Sequence, residues 1–453
     1  MKNDRKKEKR LAAPFFLVLG LLTVVALLVP LRPTRSQAER RELTAWPAFT
    51  WESFFRGKYL SDVGLWFSDT VPGRDGWLAA HREIQSVHGL SDTAVSLNAL
   101  GAAADTAEDL DALLSEPVVT PSPTAAATPV VTRTPEVTPS PAPTAEPWAG
   151  FGLEEERELY GASILIDGSV FTQLTFCQGN ADNHIAMMNA FGDALAAEGI
   201  RFFNLPVPTG AGVLLSPELR EELGCADQGK LLLYMFQREG ENVYKVNALD
   251  DLLAHKREYL YFHSDHHWTA LGAYYAYVAF CRSAGFEPVP LSEYKEVSMG
   301  DYIGAFWYTL GLNTNMRDDE VIAYVPPGDI TMDVWGLNDL RNGTWGPVLD
   351  RSGEPDNMKY LCFIAGDNPV TVITNHDLPD APDCVVLKDS FANPFVVYLT
   401  QHYHTVHVLD YRSYRNSVRL YALDVGAEDV ILCQDISITQ TYGPQTLLPD
   451  NLW

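Results

Sequence analysis

From Trp148 onward, short apolar runs alternate with stretches of helical spacing, and this rhythm restricts the main body of the chain to few architectures. Residues 183–198 carry Ile185, Met188, Phe191 and Leu195 at helical intervals, and 202–207 follow as an apolar run. Residues 162–166 and 259–262 read as strands, and 269–284 as a helix that Thr269 is placed to cap and Gly285 to stop. Further strands are predicted over 370–373, 384–387, 406–409 and 430–432. Apolar strands separated by helices predict an α/β fold with a mostly parallel sheet covered on both faces. The rhythm stops over about 298–346, where Trp307, Tyr308, Trp335 and Trp345 stand among Gly, Asn and Asp. An aromatic-rich insertion of this kind reads as a lid, as a sugar-stacking surface, or as a loop pinned to the domain by its own rings.

The first ten residues are basic, and the uncharged apolar run 11–31 follows them directly. As a helix that run rises about 31 Å, enough to cross a hydrocarbon core of about 30 Å. It predicts a single-pass anchor in the cell membrane, with residues 1–10 a cytoplasmic tail and everything after Arg32 outside the cytoplasm. The competing reading is a cleaved signal peptide with Ser36-Gln37-Ala38 as its small-residue site. Residues 32–101 read as an aromatic-rich helical segment that packs on the main domain, and 102–147 as a disordered Pro/Thr-rich linker whose acidic start, 102–116, reads either as disorder or as a frayed helix. The main α/β domain is expected over 148–453. A formal net charge of −26 argues against nucleic acid as a partner. Six cysteines, irregularly spaced and without a Cys-x-x-Cys pair, permit disulfides but equally buried thiols, as at Cys384 and Cys433 in apolar runs.

Chemistry concentrates in Tyr261-Phe262-His263-Ser264-Asp265-His266-His267-Trp268-Thr269. In an extended segment residues i and i+2 face the same side, so Asp265 can orient His267 while His266 points away. The alternative is a metal site drawing on His263, Asp265, His266 and His267, with His402, His404 and His407 as further ligands. A nucleophile is offered by Ser390, in Lys388-Asp389-Ser390 at the exit of an apolar strand, with Pro394 in the first turn of the next helix. There the helix N–H groups lie close enough to stabilise an oxyanion, although Asp-Ser before a helix also serves as a plain cap.

The blocks Ser264-Asp265-His266-His267-Trp268-Thr269, Gly366-Asp367-Asn368-Pro369 and Lys388-Asp389-Ser390-Phe391-Ala392-Asn393-Pro394-Phe395, followed by His402-Tyr403 and Leu409-Asp410-Tyr411-Arg412, resemble the DHHW family of bacterial surface proteins. That family is similar to the SGNH-hydrolase-like acetyltransferases of alginate O-acetylation. The resemblance implies a flavodoxin-like three-layer α/β/α fold, a circular permutation of the SGNH-hydrolase order in which the Asp-x-His block precedes the serine. It makes Ser390 the nucleophile, His267 the base and Asp265 its orienting partner. The usual SGNH serine sits in Gly-Asp-Ser, whereas position 388 here is Lys; Asn393 and Asn368 are the oxyanion candidates, with His266 and Trp307 as further substrate candidates. The implied activity is that of a membrane-anchored, extracytoplasmic O-acetyltransferase or acetylesterase acting on a cell-surface or secreted polysaccharide, with no metal or cofactor. An acyl donor, a polysaccharide acceptor and a membrane-bound O-acyltransferase are the implied partners. Two other classes stand beside it: a non-catalytic, surface-tethered glycan-binding or scaffold module, and a metal-dependent hydrolase.

Overall fold

The computed structural model describes residues 150–310, 315–335, 344–349 and 356–440, with 107–115, 452–453 and scattered positions between 34 and 70. The apolar run 11–31 and most of 32–101 and 116–149 lie outside the described residues. Among the described residues no helix is long and apolar enough to cross a membrane.

After a two-residue antiparallel pair, Arg35–Ser36 with Arg41–Glu42, the chain forms α1 (Ala107–Ser115) and a three-stranded antiparallel ribbon, β1 (Arg157–Tyr160), β2 (Ser163–Ile166) and β3 (Ser169–Thr172). Then come α2 (Gln178–Ala196), β4 (Arg201–Val207), α3 (Gln228–Arg238), β5 (Val243–Lys245) and α4 (Ala270–Ala284). A second antiparallel ribbon joins β6 (Lys295–Tyr302) to β7 (Asp319–Val325). The remaining elements are β8 (Ile330–Trp335), β9 (Thr344–Gly346), β10 (Val370–Asn375), β11 (Cys384–Lys388), α5 (Ala392–Leu399), β12 (Thr405–Asp410), α6 (Val418–Val425) and β13 (Asp429–Asp435).

Eight strands form one sheet in the order β9-β8-β10-β12-β11-β13-β4-β5. From β12 to β5 all neighbours are parallel, and from β12 to β9 all are antiparallel, so the expected parallel sheet occupies only part of the whole. The antiparallel edge includes β8 and β9, which carry Trp335 and Trp345 of the insertion. Alternation along the parallel strands sends Phe203, Val386 and Ile431 into one core with α3, α4 and α5. Phe202, Val385 and Val430 go into a second core with Met188 and Phe191 of α2 and Val418 of α6. Helices therefore cover both faces. Because the central strands are parallel, β11, β12, β13 and β4 all end on one edge of the sheet.

Several local predictions hold at residue level. Thr269 Oγ1 accepts from Gly272 N–H at 3.3 Å, and Gly285 stops α4 at φ 82°. Others are corrected. Residues 163–166 belong to the small ribbon rather than the main sheet. Residues 259–262 form no strand: apart from one antiparallel bridge between Tyr261 and Trp268, this apolar run is a loop buried between core elements. Its backbone bonds locally instead, Phe262 N–H donating to the His267 carbonyl at 3.2 Å and Thr269 N–H to the Leu260 carbonyl at 2.8 Å, and just beyond it the Asp319 carboxylate accepts from His263 N–H and Ser264 N–H at 2.7 Å each. Within the expected linker, Leu110, Leu113 and Leu114 give α1 an apolar stripe that docks on the main core; Asp111 pairs with Lys230 at 2.5 Å. No disulfide is assigned to any of the six cysteines, five of which are buried.

One buried carboxyl makes the packing testable. At the end of α3, Glu239 accepts from Asn204 Nδ2 at 2.7 Å, and its Oε2 has no hydrogen-bond partner among the described residues. Burial raises its pKa to about 7, against the opposing influence of Asn204 and Lys245. An unfolded glutamate titrates near 4. The native state therefore binds a proton that the unfolded chain has released between those values, and stability falls as pH rises through that window. Glu239→Gln should stabilise the fold at pH 8 by on the order of 2 kcal/mol, the gain vanishing as pH falls to about 4. Urea unfolding at both pH values measures it.

Candidate active site

The turn at 261–268 is built to hold one carboxylate. Asp265 Oδ1 accepts from the main-chain N–H of His267 at 3.1 Å and from His267 Nδ1 at 2.6 Å. A tight side-chain turn, rather than an extended segment, thus brings the two side chains together. Asp265 Oδ2 accepts from Tyr302 Oη at 2.9 Å and from Ala305 N–H at 2.7 Å. The donors come from the end of β6 and the stretch just after it, which passes so close that a Cβ at Gly304 would lie 2.1 Å from the Ser264 carbonyl oxygen. Only glycine fits that crossing. Gly304 N–H donates to Ser264 Oγ at 3.0 Å, and Ser264 Oγ donates to Asp319 at 2.5 Å.

The second half of the site is the exit of β11. Lys388 is buried there, its Nζ 2.6 Å from Asp367 and 3.2 Å from Asp410, and Arg412 closes the cluster at 2.9 Å from Asp367 and 2.6 Å from Asp410. Asp389 accepts from Phe391 N–H at 2.9 Å and from Asp435 N–H at 2.8 Å, tying this exit to the end of β13. Burial pushes the Asp389 carboxyl up, and burial together with the neighbouring Asp389 raises Asp435 to about 7. Ser390 follows, its Oγ 2.8 Å from His267 Nε2.

Thus Asp265, His267 and Ser390, which the sequence placed 123 residues apart at the wider gap, form one hydrogen-bonded chain. With Nδ1–H donated to the carboxylate, Nε2 presents its lone pair to the serine hydroxyl. Two further bonds join the halves: Trp268 Nε1 donates to the Phe391 carbonyl at 2.8 Å, and Tyr360 Oη donates to the Ser390 carbonyl at 3.0 Å.

The other candidates have different fates. His266 is exposed beside the triad, its ring 3.9 Å from that of His267 and its Nδ1 3.5 Å from Asp265. It lines a cavity of about 210 Å³ with Phe171, Leu174, Gly210, Tyr261 and Phe262. Both oxyanion candidates donate their amides to protein groups. Asn393 is fully buried and donates Nδ2 to Asp367 at 3.1 Å; Asn368 donates its amide to the Ala365 carbonyl at 2.9 Å. The first braces the charge cluster and the second braces a turn. Trp307 packs against the Leu165, Val170 and Phe306 cluster. His263 bonds Ser169 at 2.7 Å, and burial lowers its pKa. Asp265, His266 and His267 have ligand atoms within 4.8 Å of one another, but both ring nitrogens of His267 are already bonded to protein groups. His402, His404 and His407 bond Tyr277, Asn375 and Tyr421 respectively and do not join that group.

Tyr302, Ala305, Asp319 and Tyr360 were missed by sequence reasoning. Tyr302, Ala305 and Asp319 lie in the segment without periodicity, where scattered glycines such as those at 300, 304 and 311 mark no regular element.

An α/β protein with a linked serine, histidine and aspartate at the carboxyl edge of its parallel strands is thus defined before any comparison. The chain belongs to the DHHW family, whose model, described as DHHW protein, matches residues 39–112 and 154–409 and skips the Pro/Thr-rich stretch. A DHHW family protein from Eubacterium siraeum is 23% identical, with a TM-score of 0.58, over 66% of this chain and 98% of that one. Bacillus cereus PatB1, solved with a sulfonyl adduct, is 17% identical, with a TM-score of 0.52, over 65% and 98%. The O-acetyltransferase domain of Pseudomonas putida AlgJ is 15% identical, with a TM-score of 0.38, over 65% and 98%. With the first two the likeness is one of fold, a mixed α/β architecture around a large central sheet. No curated protein matches the sequence.

The charge cluster under Ser390 yields a stability prediction. Lys388→Met would leave the buried Asp410 and its neighbour Asp367 with Arg412 alone, and should cost about 3 kcal/mol in chemical denaturation. Unchanged stability would show that Arg412 neutralises both carboxylates by itself.

Proposed function

We propose that this protein is a serine-dependent O-acyltransferase, with acetyl as the transferred group and a polysaccharide hydroxyl or water as acceptor. The observation that carries the reading is the chain of bonds from Asp265 through His267 to Ser390, at 2.6 and 2.8 Å. In the forward half-reaction His267 Nε2 takes the Ser390 proton as Oγ attacks the acyl carbonyl, and the protonated imidazole then returns that proton to the departing alkoxide. The acyl-serine is released by the reverse sequence: His267 deprotonates the acceptor hydroxyl, which attacks the ester and frees Ser390. Asp265 stabilises the imidazolium in both halves without taking its proton. The positive end of the α5 dipole, two residues past Ser390, favours the oxyanion.

The sulfonyl adduct of Bacillus cereus PatB1 supports a covalent route, because sulfonylating groups attach to activated nucleophiles. The naming of the Pseudomonas putida AlgJ domain as an O-acetyltransferase agrees with acetyl as the group, though the resemblance to the family rather than that loose superposition suggests it. The reading places the protein outside the cytoplasm, tethered by residues 11–31, beside a membrane-bound O-acyltransferase that supplies the acyl group. The negative charge of the chain, −26, favours an uncharged or cationic glycan over a polyanionic one.

Separate Ser390→Ala, His267→Ala and Asp265→Ala variants, assayed on an activated acetyl ester, test the proposal. Turnover should fall by about 10³-fold or more for the first two and by a smaller factor for the third. Wild-type turnover in Ser390→Ala would sink it. Prolonged dialysis against a chelator should leave activity unchanged; a loss restored by added zinc would favour the metal-dependent reading over Asp265, His266 and His267 instead.

A further inference from the structure

Tyr360 lies outside every motif that pointed to the site, and it touches both of the site's halves. It sits in the short helical stretch Asp356–Cys362 and is 2% exposed. Its ring lies over the His267 imidazole, centroids 4.3 Å apart and planes 21° from parallel. Its hydroxyl donates to the main-chain carbonyl of Ser390 at 3.0 Å. No other side chain described here both stacks on the imidazole and bonds the Ser390 main chain. Phe262 and Phe363 wall the ring in, at 6.1 and 5.5 Å between centroids. Burial, followed by the charge of Asp265, raises the phenol well above its ordinary pKa, so it stays protonated and a donor at neutral pH.

We propose that Tyr360 is a positioning residue for the Ser390–His267 pair: its ring fixes the plane of the imidazole, and its hydroxyl fixes the peptide that carries the nucleophile. The inference rests on the acyl-transfer reading. Asp265 holds the His267 ring through the Nδ1 bond alone and leaves rotation of the ring about that line to be restrained by its other contacts. The stacked phenol provides that restraint on one face. It also presents an electron-rich ring to an imidazole that becomes cationic when Ser390 is deprotonated, an attraction made only in the charged state. On the other side of the site, Ser390 stands between a strand end and a helix start, and holding its carbonyl limits rotation of the adjoining peptide. A displacement of about 1 Å between reacting groups is enough to lose roughly 100-fold in rate.

The test compares Tyr360→Phe with Tyr360→Leu in the intact protein, by steady-state hydrolysis of an acetyl ester and by the rate at which an aryl sulfonyl fluoride labels Ser390, read by peptide mass spectrometry. Tyr360→Phe keeps the ring and loses one hydrogen bond, so kcat should fall about fivefold with KM unchanged. Tyr360→Leu loses both contacts, so kcat should fall roughly 100-fold, again with KM unchanged, and labelling should slow in the same order. Recovery from the Leu to the Phe variant identifies the ring as the working part. Equal losses in the two variants, losses expressed in KM, or wild-type kcat in both would overturn the proposal. Thermal unfolding of the Phe variant, expected to stay near wild type, separates positioning from a general loss of folding. Should the wild type neither hydrolyse the ester nor label at Ser390, the acyl-transfer reading fails and takes this inference with it. Normal labelling at equal rates in all three proteins defeats only the role of Tyr360.

Discussion

A carboxylate that is 2% exposed must be surrounded by donors, and the structure around Asp265 is the consequence of that requirement. Two donors come from His267 itself, one from Tyr302 and one from Ala305. The last two can reach it only because the β6–β7 region crosses directly over the turn, and that crossing depends on Gly304 having no side chain. Asp319, from the same region, organises the two residues before Asp265. The insertion thus acts as the mould that sets the turn, and the turn sets the tautomer and direction of His267.

The serine is positioned by an independent set of forces. At the end of β11 a buried lysine would be intolerable in isolation, and it is matched by two aspartates that Arg412 also bridges. The cluster occupies the edge where four parallel strands end, so the path of the chain past Lys388 is fixed on several sides at once. Asp389 then clamps that path to the end of β13. The position taken by glycine in the usual SGNH block is here a structural cation, and the Asn393 amide braces the same cluster. Trp268 and Tyr360 close the gap between the two assemblies, which explains a buried tryptophan directly after His267: its indole N–H grips the backbone just past Ser390.

What could be read from the sequence follows from the range of the forces involved. Asp265, His267 and Ser390 were legible because their side-chain chemistry is distinctive and Ser390 stands at the exit of an apolar strand; Thr269 and Gly285 were legible because caps are local. The pairing of Asp265 with His267 was anticipated for the wrong local reason, since a side-chain turn and not an extended segment produces it. The run 259–262 looked like a strand because burial between core elements selects the same residues as burial in a sheet. Tyr302 and Asp319 left no periodic trace, because their partners are more than thirty positions away in sequence. The bonds of the two asparagines could not be read, because an amide near a serine in sequence says nothing about which carbonyl or carboxylate it meets after folding. Helix α1 could be read only as disorder or a frayed helix, because its acidic composition hid the stripe of three leucines that docks it on the core.

The central claim is that Ser390 becomes covalently acylated, and an acyl-enzyme is directly observable. Mixing the protein with an activated acetyl ester, quenching in acid within one turnover and mapping the peptides by mass spectrometry locates the acetyl group. The account predicts a single acetylated residue, Ser390, formed at least as fast as the ester is turned over and absent when His267 is replaced by alanine. Turnover with no acetyl group on Ser390, or acetylation placed on His266 or another side chain, would contradict it.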